Sequence, residues 1–504
     1  MALPSKPATT VIIIGAGFSG VAMGCQLKRN YDLEDYCIYD RCSGIGGTWW
    51  SNRYPGCSVD IPAISYSLSF AKNPSFTKLF PQQSEALDYI SDVARTYGVN
   101  RQFVGNVEWK CATWKEDTET WLLQFEDLQT GRHFTQACRI LISAVGGVVN
   151  PHPFTMPGVE TFRGPIVHTA QWRSDIDLRY KHVAVIGNGS SFVQLVPAII
   201  DEVKTITHFM RTPHYLVPTK NHDIPPLWRR LLCYVPGLLW LLRALMFLYM
   251  ETAWPQFNKT RWGSRARQKS VQRSLNYVQS TAPHSKSWRR VFDQGYLPCL
   301  QRDNIRLTDD PVVEILPTSI RTQSGDQIST DVIILATGFS LTQYDTPLYS
   351  REGISRQQHW QELGSRLAFE SVAMHGFPNF FYILGPNSGR AHTSTLFSIE
   401  NHVDLVISVI APIIQNKASA VELDANSERK YYSLLRAALQ NTVHDETCSS
   451  YFVDKKTGTN WFSYPWSSLW QWISTHWVRA ELISPEDPHV LFDLQLMRCQ
   501  NRIS

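Results

Sequence analysis

The sequence predicts an α/β chain built from two doubly wound, parallel-sheet domains, one nested inside the other, with a helical, aromatic-rich insertion. Three observations lead there. "TTVIIIGAGFSGVAMGCQLKR" runs a β-branched strand into a glycine turn and then a helix. "KHVAVIGNGSSFVQLVPAII" repeats that pattern imperfectly, roughly 170 residues later, a period too long for a solenoid. At 504 residues the chain also exceeds one ordinary core.

The elements follow in order. Residues 1–8 are a short polar tail, and 8–150 are expected to form the first part of the outer domain. There "DYCIYDR" is a second strand, and Cys42 to Ser67 is a loop rich in Gly, Trp and Pro. Short strands alternate with polar turns from Thr113 to Phe134, and "ACRILISAVGG" is a buried strand. "VVNPHPFTMPG" is read as a linker opening the inner domain, residues 151–330. Within it, residues 220–290 are expected to be helical, basic and aromatic. "DVIILATGF" is a returning strand with a glycine exit, so that residues 331–504 resume the outer domain; a loop and helices follow from Leu363.

Composition narrows the function classes. A hydrophobic fraction of 43% and a charged fraction of 18% describe a folded globular protein. The net charge of +4 comes without a basic block, which argues against a nucleic-acid binder. The ten cysteines form no CxxC pair and none has metal-ligand spacing to a histidine, so no metal site is expected. They are read as reduced, mostly buried thiols of a cytoplasmic protein. Trp461, Trp466, Trp470, Trp472 and Trp477 are read as a helix packing on the core, against the alternatives of a pocket wall or a membrane-facing surface. Leu231 to Met250 is apolar and, at 20 residues, long enough to span a bilayer. Pro236 and Gly237 interrupt it, however, and a central charge such as Arg243 costs roughly 2.5–3.5 kcal/mol there. A buried helix, or one in peripheral contact with a membrane through 231–250, fits better.

The first glycine unit carries a complete dinucleotide fingerprint: Gly15, Gly17 and Gly20, with Phe18 and Ser19 between the last two. The first glycine permits the tight turn, the second lets backbone approach a pyrophosphate, and the third lets helix and strand pack closely. Asp40 ends the next strand, where a carboxylate can accept hydrogen bonds from ribose hydroxyls. The second unit keeps Gly187 and Gly189, followed by Ser190 and Ser191 at the helix start, but Phe192 replaces the third glycine. Its ring is expected to push the helix outward or to turn aside between elements. The next strand, "ITHFMRTP", ends in Arg211 and Thr212; a guanidinium there suits the 2′-phosphate of NADP, where a carboxylate would repel it. The alternative is a plain strand and turn with an incidental surface arginine.

Between the units, "FRGPIVHTAQW" sets Phe162, Gly164, His168 and Trp172 in the pattern F-x-G-x-x-x-H-x-x-x-W. Here the chain resembles the class B flavoprotein monooxygenases, specifically the type I Baeyer–Villiger monooxygenases, whose fingerprint this is. It departs from most of them in having Arg173 after the tryptophan. "GIGGTWWSNRYPGCSVD" is similar to that family's flavin-covering loop, and this places Gly47, Thr48, Trp49, Asn52 and Asp60 in the expected cofactor-binding set, which also includes Tyr66 farther along the chain. "HGFPNFFYILGPNSGRAHTS" resembles the segment that brings Gly385, Pro386, Asn387 and His392 beside the flavin. In "SWRRVFD", Arg289 falls on the family's catalytic arginine, while Trp288 replaces the lysine that helps hold NADP.

The resemblance implies an FAD- and NADPH-dependent enzyme acting with O2 on a hydrophobic ketone through a C4a-peroxyflavin. Arg289 would supply positive charge, Asp60 would pair with it, and His168 and Trp172 would couple cofactor binding to domain movement. "VPGLLWLLRAL" and "YPWSSLWQW" resemble fungal enzymes of polyketide and terpenoid pathways. Two alternatives stay open: another oxygenation by the same chemistry (hydroxylation, epoxidation, or sulfur or nitrogen oxidation) and a flavin-binding protein without turnover; a disulfide reductase would need a redox dithiol, and Cys37 and Cys42, flanking Asp40, are poorly placed for one. The sequence leaves the oligomeric state undetermined.

Overall fold

The computed structural model describes residues 3–148, 150–187, 189–210, 216–281, 291–293, 295–340, 342, 344–445, 452–454, 457–477, 482–483 and 491–492. The outer domain begins with β1 (Thr9–Ile14), α1 (Phe18–Tyr31) and β2 (Tyr36–Tyr39). β1 is buried along almost its whole length because it is paired on both edges and covered on both faces, which a continuous β-branched run tolerates. The covering loop contributes a short helix, α2 (Thr48–Ser51), and is followed by α3 (Gln83–Thr96). Next come β3 (Phe103–Val104), β4 (Val107–Lys115), β5 (Thr120–Asp127) and β6 (His133–Ser143).

β6 joins two kinds of sheet. Its first half pairs antiparallel with β5, and its second half pairs parallel with β1. The expected polar tail is partly tied down at this strand: Lys6 donates its N–H to the Thr135 carbonyl at 2.8 Å, and its ammonium lies 4.2 Å from the centre of the Phe134 ring.

The chain leaves the outer domain through β7 (Asn150–Pro151) and enters the inner one at β8 (Ile166–His168). There β9 (His182–Ile186), α4 (Ser190–Ile199) and β10 (Thr205–Phe209) form the second strand–turn–helix unit. β11 (Leu216–Pro218) leads into the helical insertion of α5 (Pro226–Tyr234), α6 (Leu238–Glu251) and α7 (Arg261–Thr281). β12 (Val291–Asp293) pairs parallel with β11, and α8 (Tyr296–Cys299) and β13 (Ile305–Thr308) return to the inner sheet. An antiparallel triplet, β14 (Val312–Leu316), β15 (Ser319–Thr322) and β16 (Gln327–Ser329), precedes the interior strand β17 (Val332–Leu335). The inner sheet is wholly parallel, in the order β13-β10-β9-β17-β8.

The return path is β18 (Phe339–Ser340), which pairs antiparallel with β7, so the two connections between domains are hydrogen-bonded to each other. β19 (Leu348–Tyr349) and β20 (Phe380–Tyr382) then complete the outer sheet against β4 and β6. Of the closing helices α9 (Arg356–Glu362), α10 (Thr395–Ile414), α11 (Ala425–Gln440) and α12 (Ser468–Trp477), α10 is long and apolar enough to cross a membrane. It is instead largely buried against α1 and α12.

Two sequence expectations change. The 231–250 stretch, expected as one buried or peripheral helix interrupted at Pro236 and Gly237, is two helices bent by 106° at that break. Of the crowded tryptophans, Trp461 is core, but Trp470 and Trp472 on α12 are exposed.

Candidate active site

The two glycine units superimpose in their chemistry. Gly15 and Gly187 have φ of +106° and +111°, left-handed values that favour glycine. A Cβ on Gly15 would overlap the carbonyl oxygen of Ala144, and one on Gly187 that of Ala336. Gly17 and Gly189 cap their helices with nearly identical backbone angles, φ/ψ −78°/−168° and −79°/−167°. Each therefore turns a helix N-terminus, with its unpaired N–H groups and positive dipole end, toward a phosphate position.

They differ at the third glycine. A Cβ on Gly20 would overlap the Gly15 carbonyl oxygen. In the second unit the Phe192 ring turns aside, as one of the two expectations had it, and is buried. It stacks on His208 at 4.4 Å between centroids and meets Tyr296 edge-on at 4.6 Å. His208 Nε2 donates to the Gly187 carbonyl (2.8 Å), leaving Nδ1 to accept from the Tyr296 hydroxyl (2.7 Å). The sequence pattern contained no signal for this His208–Tyr296 support.

One cavity of about 1210 Å³ joins both turns. Gly15, Gly17, Phe18, Ser19 and Asp40 line it from the outer domain, and Gly189, Ser190 and Ser191 from the inner. The covering loop adds Gly47, Thr48, Trp49, Asn52, Asp60 and Tyr66. Gly20 and Gly187 lie behind it, where they shape the turns.

The cradle is close-fitting. A Cβ on Gly47 would come within 2.7 Å of Gly17 Cα, so only glycine backbone separates the loop from the first turn. Asp40 accepts the Ala16 and Cys42 N–H groups, both at 2.7 Å, which fixes its carboxylate at the cavity wall with lone pairs to spare. The Trp49 indole N–H donates to the Tyr66 hydroxyl at 2.8 Å, bracing the opposite wall. Asn52 is held from behind, its amide donating to the Thr48 carbonyl at 2.9 Å. The glycine turn, the helix N-terminus and the fixed acceptor at the strand end match a bound dinucleotide. The volume exceeds the roughly 300–1,000 Å³ of ordinary small-molecule pockets.

Asp60 faces the cavity. Its side chain is accessible from that space but otherwise surrounded by protein, and this desolvation raises its carboxyl above the ordinary carboxylate range. Cys57 also borders the cavity; burial pushes its thiol up to about 12, so it stays protonated. All eight described cysteines are free, four of them buried, so no redox pair supports the disulfide-reductase alternative among them.

Three expected residues, Arg211, Thr212 and Arg289, lie outside the described residues, as does Trp288. Two placements differ from expectation. Asn387 is buried behind the wall, its amide donating to the Asn460 and Ser463 carbonyls at 3.3 Å each, and it does not line the cavity. His392 lies 2.9 Å from Glu251 of the insertion, away from the cavity. Both follow from how the 385–393 loop folds onto the 460–468 segment, a contact that local sequence does not encode. Residues missed by sequence reasoning include Gln194 of α4, which accepts from the Tyr54 hydroxyl (2.8 Å) and donates to the Ser58 carbonyl (3.0 Å). It docks the inner domain on the covering loop.

The F-x-G-x-x-x-H-x-x-x-W fingerprint is a sheet edge rather than a loose linker. His168 ends β8, where Nδ1 accepts the Ala170 N–H and Nε2 donates to the Gly338 carbonyl, both at 3.1 Å. Burial lowers its pKa, so the ring is neutral and ties the edge of the inner sheet to the returning connection at Gly338. Gly164 is required because a Cβ there would overlap the Asp331 carbonyl oxygen. Phe162 packs on the small core of the inner domain, and Trp172 on the main core.

Two dinucleotide folds opening into one cavity define a two-nucleotide oxidoreductase of the flavoprotein type. Comparison with known proteins agrees. Residues 13–82 match the NAD(P)-binding Rossmann-like domain. A Baeyer–Villiger monooxygenase of Pseudomonas aeruginosa is 29% identical over 90% of this chain and 88% of its own. The FAD-binding monooxygenase BOA2 of Botryotinia fuckeliana is 30% identical over 78% of each chain. The cyclohexanone monooxygenase from Rhodococcus sp. Phi1 bound to NADP+ shares the fold, with a TM-score of 0.82 at 23% identity over 95% of this chain and 100% of that one. The chain belongs to the family of FAD-binding monooxygenases of the Baeyer–Villiger type, and its class is that of an FAD-dependent monooxygenase.

Proposed function

We propose that the protein uses NADPH and O2 to convert a hydrophobic ketone to an ester or lactone. One oxygen atom is inserted beside the carbonyl and the other leaves as water, while NADPH and a proton are consumed. The observation that carries this reading is the one cavity shared by Gly15, Gly189 and Asp60. When bound there, FAD supplies the two-electron link between NADPH and dioxygen.

The chain's own residues do the rest. Gly15, Gly17 and the start of α1 receive the pyrophosphate of one dinucleotide, with Asp40 as the hydroxyl acceptor. Gly189, Ser190 and Ser191 receive the second, with Arg211 and Thr212 at its 2′-phosphate. Trp49 and Tyr66 exclude water along the covering loop. Arg289 brings positive charge to the reacting atoms, and Asp60 holds it there. A setting in fungal polyketide or terpenoid metabolism, in the cytoplasm, is supported by the fungal relative and the free thiols.

The test mixes the FAD-loaded enzyme with NADPH without oxygen, then adds oxygen and a ketone panel. Bleaching of the flavin absorbance followed by ester or lactone in the products is the expected result. Sulfoxides or N-oxides without esters would assign a different oxygenation. A flavin that neither NADPH nor NADH bleaches would overturn the reading. Arg289→Ala should keep the bleaching and lose the ester.

A further inference from the structure

The insertion carries an apolar face that the active site does not use. On α6, Trp240 is 64% exposed, Leu245 53%, Leu248 58% and Tyr249 72%, and with Leu241 they line one side of the helix. On α5, Tyr234 is 82% exposed, with Leu227, Trp228, Leu231 and Val235 on the same face. Exposed apolar residues gathered on one face of each of two successive helices mark an interaction site.

The opposite side of α6 is tied to the body of the protein. Arg243 donates to the Ile64 carbonyl (3.0 Å), the Ser67 hydroxyl (2.8 Å) and the Ser67 carbonyl (2.9 Å). Phe247 packs against Phe397 with ring centres 4.8 Å apart. The exposed face is therefore held outward by the fold and is not a frayed element. Ile64 and Ser67 flank Tyr66, so the hairpin is fastened directly to the cavity wall.

Charge indicates what covers the face. From residue 216 to 281 the chain carries ten Lys and Arg but only Asp223 and Glu251 as acids, although the whole protein has a net charge of just +4. Arg230, Arg261, Arg265, Lys269 and Arg273 are exposed and form no ion pair among the described residues. Exposed Trp262 opens α7 between such arginines. Tryptophan, tyrosine and leucine beside arginine is the composition of a helix lying in a lipid interface.

The two helices do not line up as one straight span. The 14 residues of α6 extend about 21 Å at ~1.5 Å each, short of the ~30 Å hydrocarbon core, and the 106° bend keeps α5 out of line.

We propose that the α5–α6 hairpin docks the enzyme in the plane of an anionic membrane surface, its leucines and aromatics in the acyl boundary and the basic residues of the insertion on the headgroups. Docking places the Tyr66 wall of the cavity near the bilayer, where a hydrophobic ketone concentrates.

The test is flotation of the full-length, FAD-loaded protein with vesicles of phosphatidylcholine alone or mixed with phosphatidylserine. The protein is expected to float with the anionic vesicles, less with the neutral ones, and to be released by high salt. Combined Leu241→Glu, Leu245→Glu and Leu248→Glu should cut flotation about tenfold or more, with flavin content and NADPH oxidation unchanged. Wild-type protein that stays unbound to both vesicles at low salt would overturn docking, as would a triple variant that floats like wild type. Absence of flotation together with a dimer in sedimentation velocity that the triple variant dissociates would assign the face to a second copy, which also overturns it. Flotation without NADPH oxidation would sink the proposed reaction and leave docking intact.

Discussion

Gly15 shows how tightly one residue can be constrained. Both its φ of +106° and the Ala144 carbonyl oxygen exclude a side chain. Gly15→Ala should cost on the order of 1–3 kcal/mol and leave the protein colourless, read as the ratio of flavin to protein absorbance. Glu370 behaves differently. It is buried, and its carboxyl is pushed up to about 7 by desolvation, with the Ser474 hydroxyl and Arg390 pulling the other way. Its ordinary value is 4.5, so in the window between the two the native state holds a proton that the unfolded chain has lost. The stability this contributes is complete below about pH 4.5 and is lost as pH rises through about 7, a change on the order of 3 kcal/mol. Glu370→Gln should therefore gain stability relative to wild type as pH rises across that window. Parallel curves of melting temperature against pH would show that the assignment is mistaken.

At the scale of elements, the second glycine unit works without its third glycine because the rest of the packing was rebuilt around Phe192. The ring fills the space between α4, β10 and α8, against His208 and Tyr296. Phe192→Ala is expected to lose about 3–5 kcal/mol in urea unfolding. Phe192→Gly completes the fingerprint on paper, yet should cost at least as much and leave the KM for NADPH no lower. A Phe192→Gly enzyme with unchanged stability and tighter NADPH would mean that the phenylalanine is only tolerated. Arg243 makes a related point. As a mid-run charge it argued against a membrane span, and the fold uses it to tie α6 to the covering loop.

At the scale of the whole molecule, the two domains are joined by two strands of chain that pair as β7 and β18, and neutral His168 ties the edge of the inner sheet to the returning connection at Gly338. Gln194 adds a second contact between α4 and the covering loop. Movement of the inner domain therefore involves these hydrogen bonds together with apolar packing, because one buried core holds residues of both domains, Tyr54 and Cys57 with Val193 and Val196 among them. His168→Ala should lower kcat by about tenfold, equivalent to ~1.4 kcal/mol of barrier, and change KM with it, while flavin content stays normal. A loss of bound flavin in that variant would place the histidine's role in folding instead.

Sequence alone determined what local chemistry specifies. The strand–glycine–helix units, the acidic end of β2, the F-x-G-x-x-x-H-x-x-x-W pattern and the break at Pro236–Gly237 were all legible, because backbone angles and helix ends depend on neighbours within a few residues. Tertiary structure decided the rest. It folded Asn387 and His392 away from the cavity, turned the Phe192 ring onto His208, and brought Gln194 to Ser58 across 136 positions of chain. It also left the α5–α6 face uncovered while burying the equally apolar α10. These outcomes depend on which surfaces meet, and apolar content or residue type reads the same in sequence whether a partner is found or not.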